Sequence, residues 1–489
     1  MSSSIDRRRA LGLLMVGSAS VAAGVTGWVA GLGRSGSGLD RVAGGDAMAE
    51  PAVLASHDGE LDVSLTAAPG AALAGTTGSV LGLNGASPGP TLQVRPGDVL
   101  RVHLANRLQQ PTNLHTHGLR VSPKGNGDNP FVSIAPGESF DYRFMIPHDH
   151  PPGTFWYHPH RHGYVADQLF GGLAGALVVA GGPDLDVGAD RVMLLTDISL
   201  NNIGRVSAVG PMDRMMGRQG RLILVNGQYQ PVITAAPGVT ERWRLINACT
   251  SRVLSLRLDG HPLTQIAADG HFLPAPVTRK QVVLAPGNRT DVVIRPLAHG
   301  RFTLWTDPYD RGSPGMMGMM GGAASTAARA PVVLATVAVS GTNGSAPPLP
   351  ATLPAPALPS GLVSVRRRVS FEMQMGMAAG GMRWTIDRRA YDAERTDQAV
   401  QLGATEEWLV TNNSSMDHPF HLHVWPFQVL ATSAAPAAEQ SLRDVVLVPA
   451  RGWARLRVHF ADFAGRSVYH CHILDHEDTG MMATIEVAP

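Results

Sequence analysis

Gly403-Ala404-Thr405-Glu406-Glu407-Trp408-Leu409-Val410-Thr411-Asn412 places an asparagine nine residues after a glycine, with a strand-like run between them. Aromatic and β-branched residues dominate such runs because they suit a pleated, half-buried surface. The same frame occurs twice more. Gly97 leads through Val99-Leu100-Arg101-Val102-His103-Leu104 to Asn106, and Gly238 through Glu241-Arg242-Trp243-Arg244-Leu245-Ile246 to Asn247. Three copies so far apart predict three repeats of one β-domain. Composition agrees. In 489 residues, Gly 55 and Pro 36 are too many breakers for a helical protein, and Pro-Gly turns recur at Pro96-Gly97, Pro136-Gly137, Pro237-Gly238 and Pro286-Gly287. Each copy reads as a Greek-key β-sandwich.

The copies can be followed further. His115 and His117 lie nine and eleven residues after Asn106, and His421 and His423 hold the same offsets after Asn412. After Asn247 those offsets hold Leu256 and Leu258. A later glycine gives a second landmark. Five and seven residues past Gly153 are His158 and His160; past Gly465, His470 and His472; past Gly300, Trp305 and Asp307. The first and third copies thus carry His-x-His twice at equivalent places, and the middle copy carries neither pair.

Residues i and i+2 of a strand share a face, so each pair presents two imidazoles side by side. Eight imidazoles from two domains suffice for a multi-metal site, but imidazole alone does not choose between copper, zinc, iron and nickel. Cys471 makes that choice. It sits between His470 and His472 and so points to the opposite strand face, as does His418, an odd three residues before His421. With His476 and Met481 these residues supply one thiolate, two imidazoles and a thioether, the donor set of a blue-copper electron-transfer site. The main chain His470-Cys471-His472 is then a short covalent path between that site and the imidazole cluster.

His115-Thr116-His117-Gly118, Trp156-Tyr157-His158-Pro159-His160, His418-Pro419-Phe420-His421-Leu422-His423 and His470-Cys471-His472-Ile473-Leu474-Asp475-His476-Glu477-Asp478-Thr479-Gly480-Met481-Met482 resemble, in order, the four copper motifs of three-domain multicopper oxidases, a family that includes laccases and cuprous oxidases. The resemblance spans residues 52–489. It implies an all-β chain of three cupredoxin-like Greek-key β-sandwich domains and four copper ions. By the resemblance, one type 1 ion takes His418, Cys471, His476 and Met481. One type 2 ion takes His115 and His421. Of the two type 3 ions, one takes His117, His158 and His472, the other His160, His423 and His470. The cluster is expected between the first and third domains, with the second as a spacer. Glu477 matches a family acid near the cluster. A second family acid, nine residues after His117, is here Asn126, and Asp128 is the candidate to replace it as a proton relay. The plainer reading of both acids is a solvated loop position. The axial methionine implies a moderate potential and easily oxidised donors (phenols, aromatic amines or Cu(I)), which reach the type 1 site through the edge of His476 or His418, with dioxygen as acceptor.

Methionines cluster in glycine-containing segments unlike core strands: Met212, Met215 and Met216; Met316, Met317, Met319 and Met320; Met373, Met375, Met377 and Met382. Soft thioethers suit Cu(I), so these segments read either as a Cu(I) substrate site or as an apolar cover. His148, His150, His162 and His459 read as surface or loop residues, and Cys249 as a buried hydrophobe. Lys+Arg 40 against Asp+Glu 39 offers no footprint for nucleic acid, and two cysteines exclude a disulfide scaffold. Arg7-Arg8-Arg9 before the uncharged stretch Ala10–Gly33 reads as a twin-arginine export signal, with a periplasmic or extracellular destination and no stable membrane span after export. The domains expected are 1–50 (signal and linker), 51–183, 184–342, a Pro-rich linker at 343–361, and 362–489; the family implies a monomer. A copper-binding tolerance protein is the alternative from another class. Copper nitrite reductase is disfavoured, because its chemistry uses a single catalytic copper.

Overall fold

The computed structural model describes residues 44–73, 79–313, 330–376, 381–435 and 441–489. These residues form three two-sheet β-sandwiches. In the first, the sheet of Val80–Leu83, Glu60–Ala71, Val99–Asn106 and Ser139–Met145 faces one of Val53–Ala55, Thr91–Val94, Gly175–Val179, Gly153–His158 and His115–His117. In the third, the sheet built on Val365–Gly376, Thr405–Asn412 and Trp453–His459 faces one ordered Gln398–Gln401, Met482–Ala488, Gly465–Cys471, His418–Leu422 and Val445–Val448. The middle sandwich repeats the plan with seven and five strands. In each copy the repeat strand pairs in parallel with an earlier one: Glu60 with Val99, Ala189 with Glu241, Val365 with Glu406. Each sandwich closes on its own apolar core.

The glycine-to-asparagine frame has a physical reason at both ends. Gly97, Gly238 and Gly403 take φ of 93°, 76° and 83°, the left-handed turn that glycine enters freely. The asparagines pin the loop that follows. Asn106 Nδ2 donates to the Gln110 and Ile134 carbonyls, Asn247 Nδ2 to those of Arg252 and Leu284, and Asn412 Nδ2 to those of Met416 and Val448. Their carbonyl oxygens accept from Leu108, Cys249 and Ser414 N–H.

In the middle copy the histidine positions hold other structure. Leu256 and Leu258 lie in the core, Trp305 Nε1 donates to Asp259, and Asp307 pairs with Arg257 at 2.9 Å. Two segments pack against this domain from outside the ranges assigned to it. Ala47, within the stretch read as signal and linker, bridges in parallel to Val232. The Pro-rich linker lies along it, with Leu353 N–H on the Pro274 carbonyl and Leu349 against the core. The Arg7-Arg8-Arg9 stretch lies outside the described residues. Among the described residues, no helix is long and apolar enough to cross a membrane.

The first and third sandwiches meet at two short helices, Val165–Phe170 and Leu474–Asp478. Asp478 accepts from the N–H groups of Gly163, Val165 and Ala166, so a carboxylate of the third domain caps a helix of the first. Arg218 of the middle domain grips buried Asp475 through Nε and Nη2 and reaches Asp167 of the first domain at 2.6 Å.

Candidate metal centre

Alternation along Gly465–Cys471 sends the Cys471 side chain into the third core, where Met481 also lies fully buried. Cys471 Sγ stands 3.3 Å from His418 Nδ1 and 3.9 Å from His476 Nδ1, and the two nitrogens are 3.4 Å apart. Each ring is fixed from behind. His418 Nε2 lies 2.8 Å from Ser414 Oγ, and His476 Nε2 lies 3.0 Å from the Met215 carbonyl. A carbonyl only accepts, so His476 Nε2 carries the hydrogen and Nδ1 keeps its lone pair for the common point. Trp384 stacks on His476 at 4.3 Å and also donates to the Met215 carbonyl. Both rings are fully buried. The expected donor route through the edge of His476 is therefore covered here by the helix Pro211–Met216 and by Trp384.

The eight other imidazoles converge between the first and third domains. His115–His117 pairs in register with Gly153–His158, and His418–Leu422 with Gly465–Cys471, which aligns His421 with His470. Rings within each pair are neighbours, with centroids 5.4 Å apart for His115/His117, 6.0 Å for His158/His160, 4.8 Å for His421/His423 and 5.6 Å for His470/His472. Across the boundary His115 stacks on His423 at 3.8 Å and His117 on His421 at 3.9 Å. His160 Nε2 and His423 Nε2 each lie 3.1 Å from His470 Nε2. His472 sits 5.0 Å from His117 and 5.9 Å from His158, centroid to centroid.

For His115, His158 and His421 the outer nitrogen is engaged and the inner one is left for the shared space, as metal ligation requires. His158 Nδ1 faces the Pro159 carbonyl at 2.8 Å, His421 Nδ1 the Asp444 carbonyl at 2.8 Å, and His115 Nδ1 the Asp128 carboxylate at 2.9 Å. His115, His158 and His421 Nε2, together with His117 Nδ1, are buried without a protein partner. Burial first, then neighbouring imidazoles, keep His115, His160, His421, His423 and His472 well below the usual histidine range, so they are neutral and ligand-competent. The donor set fits copper: a thiolate with two imidazoles at one point, clustered imidazoles at the other.

Neither acid is the solvated loop residue of the plainer expectation. Asp128 is 1% exposed, bonds His115 and Thr116 N–H, and burial lifts its carboxyl to about 7. Asn126, at the expected family position, is exposed. Glu477 is fully buried, with Oε2 3.1 Å from His470 Nδ1 and Oε1 3.4 Å from His160 Nε2, and burial raises it well above the usual range.

Other expectations change. His150 lies in a loop but is buried there, accepting from Arg120 N–H at 3.1 Å. His148 and His459 are exposed, and His162 packs beside Tyr391 outside the donor groups. Cys249 is buried. Met373 and Met375 lie in the strand Val365–Gly376, and Met373 packs against the third core, unlike the non-core segment expected. Met316, Met317, Met319, Met320 and Met377 lie outside the described residues. Two residues escaped sequence reasoning altogether. Arg289, from the domain expected to be a spacer, is fully buried and places Nη1 and Nη2 2.6 Å from the two oxygens of Asp444; Asp444 Oδ1 is 3.2 Å from His117 Nε2.

Models of the multicopper oxidase family match residues 66–184, 202–326 and 363–489. The chain is similar to the multicopper oxidase mco of Staphylococcus aureus, 28% identical over 84% of this chain and 85% of that protein. It is 30% identical to the cell division protein FtsP of Yersinia pestis over 84% of this chain and 85% of that protein. Among solved structures it resembles a multicopper oxidase of Campylobacter jejuni described as a metallo-oxidase, with a TM-score of 0.80, 29% identity, and coverage of 92% of this chain and 96% of that one.

Proposed function

The chain belongs to the multicopper oxidase family, and from that premise we propose that it is an exported oxidase that takes single electrons from phenols, aromatic amines or Cu(I) and reduces dioxygen to water. The observation that carries this reading is the meeting of eight imidazoles from two domains beside a cysteine whose chain neighbours, His470 and His472, belong to that cluster. Four copper ions, one type 1, one type 2 and two type 3, would supply one-electron acceptance at the first point and four-electron dioxygen reduction at the second.

His418, Cys471, His476 and Met481 are assigned to the type 1 ion, His115 and His421 to type 2. His117, His158 and His472 would hold one type 3 ion, and His160, His423 and His470 the other. The protein's work beyond ligation is to hold protons and exclude water. Reduction to two waters consumes four protons with four electrons. Glu477, held protonated by burial against His470 and His160, keeps one proton at the cluster, and Asp128 keeps another at His115. Met215 and Trp384 shield His476, so donors deliver electrons across that cover. The methionines beyond the described residues are proposed to draw Cu(I) to it.

The test is dioxygen uptake by copper-loaded protein with Cu(I) and with a phenol, each measured at steady state. Uptake with one electron consumed per donor and four per dioxygen supports the reading. Fully loaded protein that consumes no dioxygen with either donor refutes it. The likeness to a cell division protein supports a second reading, a copper-binding envelope protein without turnover, which that negative result would favour.

A further inference from the structure

The Arg289 guanidinium of the middle domain touches all three sandwiches at the cluster wall. Its Nε donates to the Thr154 carbonyl of the first domain at 3.2 Å, its Nη1 to its own domain's Gly287 carbonyl at 3.1 Å, and both Nη atoms to Asp444 of the third at 2.6 Å. Its main-chain N–H donates to Asp269, which also accepts from Asn288. Both side chains of the Arg289–Asp444 pair are buried from solvent.

Asp444 then touches two of the eight cluster imidazoles by different atoms. Its Oδ1 accepts from His117 Nε2 at 3.2 Å, and its main-chain carbonyl accepts from His421 Nδ1 at 2.8 Å. With Nε2 so engaged, His117 presents Nδ1, while His421 presents Nε2, and both of those nitrogens are buried without a protein partner. A bidentate guanidinium holds a carboxylate in one plane, which a lone aspartate would not keep. Gly287 completes the wall: a Cβ there would stand 3.0 Å from His472 and 3.1 Å from His117, so the middle domain presses against the rings with bare backbone.

From this geometry we infer that Arg289 and Asp444 are positioning residues: the middle domain, without supplying a ligand, fixes the tautomer and tilt of His117 and His421 and so sets how firmly the cluster holds its metal. The inference rests on the copper reading above. Second-layer partners of this kind govern metal affinity by about 10–100-fold.

Four proteins test it: the parent, Arg289→Met, Arg289→Lys and Asp444→Asn, each copper-loaded as full chains. Copper per chain is measured by mass spectrometry after equilibration with graded chelator, alongside the thiolate absorption of Cys471 and the paramagnetic resonance of the type 2 ion. Arg289→Met and Asp444→Asn are expected to release cluster copper at about 10–100-fold lower chelator concentration and to alter the resonance. The Cys471 band stays unchanged, showing that the third domain is folded. Arg289→Lys, which keeps the charge but loses the bidentate fork, is expected to lie between them and the parent. Variants with the parent's release curve and resonance, and only a lower melting temperature, overturn the inference. A parent that retains no cluster copper would instead overturn the copper reading itself.

Discussion

Cys471 has no substitute among the described residues: the other cysteine, Cys249, is buried in the middle core. Cys471→Ser is expected to abolish the thiolate band and type 1 copper while leaving the imidazole cluster loaded, as read by absorption and copper count. Glu477→Gln keeps the shape and loses the proton. It should slow dioxygen uptake by about 10²-fold, the usual contribution of a placed acid, with copper content retained. At this scale the ligands were legible because each histidine has a counterpart in another copy at a fixed offset. Arg289 and Asp444 have no such counterpart, and 155 residues separate them, so only the folded chain brings them together. Asp128 was half legible: the acid was visible, but the loop that turns it inward and leaves Asn126 outside was not.

The helix Pro211–Met216 is the element that most changes the functional picture. It is one and a half turns long with no buried side chain of its own, and it stays in place through the Met215 carbonyl, which bonds both His476 and Trp384. Arg311 adds a third tie from its Nη2 to the Met216 carbonyl at 3.0 Å. Replacing residues 211–216 with a short Gly-Ser loop is expected to uncover His476 and lower KM for bulky phenols in steady-state assays, with dioxygen reduction at saturating donor unchanged. A loss of the thiolate band in that variant would show that the element builds the type 1 site and does not merely cover it. The sequence showed Met212, Met215 and Met216 as a cluster. It could not show that Met215 acts through its backbone, since a main-chain carbonyl carries no side-chain signature.

Across the whole molecule, burial of so many imidazoles makes the copper-free protein acid-sensitive. His158 and His418 are held down to about 3 and His470 to about 4, chiefly by burial. Unfolded histidines take up protons below about 6.5, so between that pH and about 4 the unfolded state binds more protons than the folded one. Stability therefore falls as pH drops through this window, by about 1.4 kcal/mol per unit for each fully shifted group. The melting temperature of apoprotein should drop steeply from pH 6.5 to 4, and the copper-loaded curve should lie above it, because the ligands must be neutral to bind. Arg218→Ala tests the ties between domains. It takes the guanidinium from buried Asp475, leaving it the main-chain N–H at 218 and Arg214 at 3.9 Å, and should cost up to about 3 kcal/mol in chemical unfolding. Three sandwiches and their order were readable from the glycine–asparagine frame. Their mutual placement was not, since it depends on apolar clusters and charge pairs that form only across boundaries.

The asparagine pins have one more consequence. They are uncharged amides, present alike in the copies with and without ligands, and acid does not touch them. The seams between sandwiches combine apolar contact with pairs of carboxylate to guanidinium and carboxylate to helix terminus, and acid removes the pairs. Titrated downward, the molecule should come apart at its seams before its fabric frays: scattering would record three loosened lobes while the strands of each remain intact.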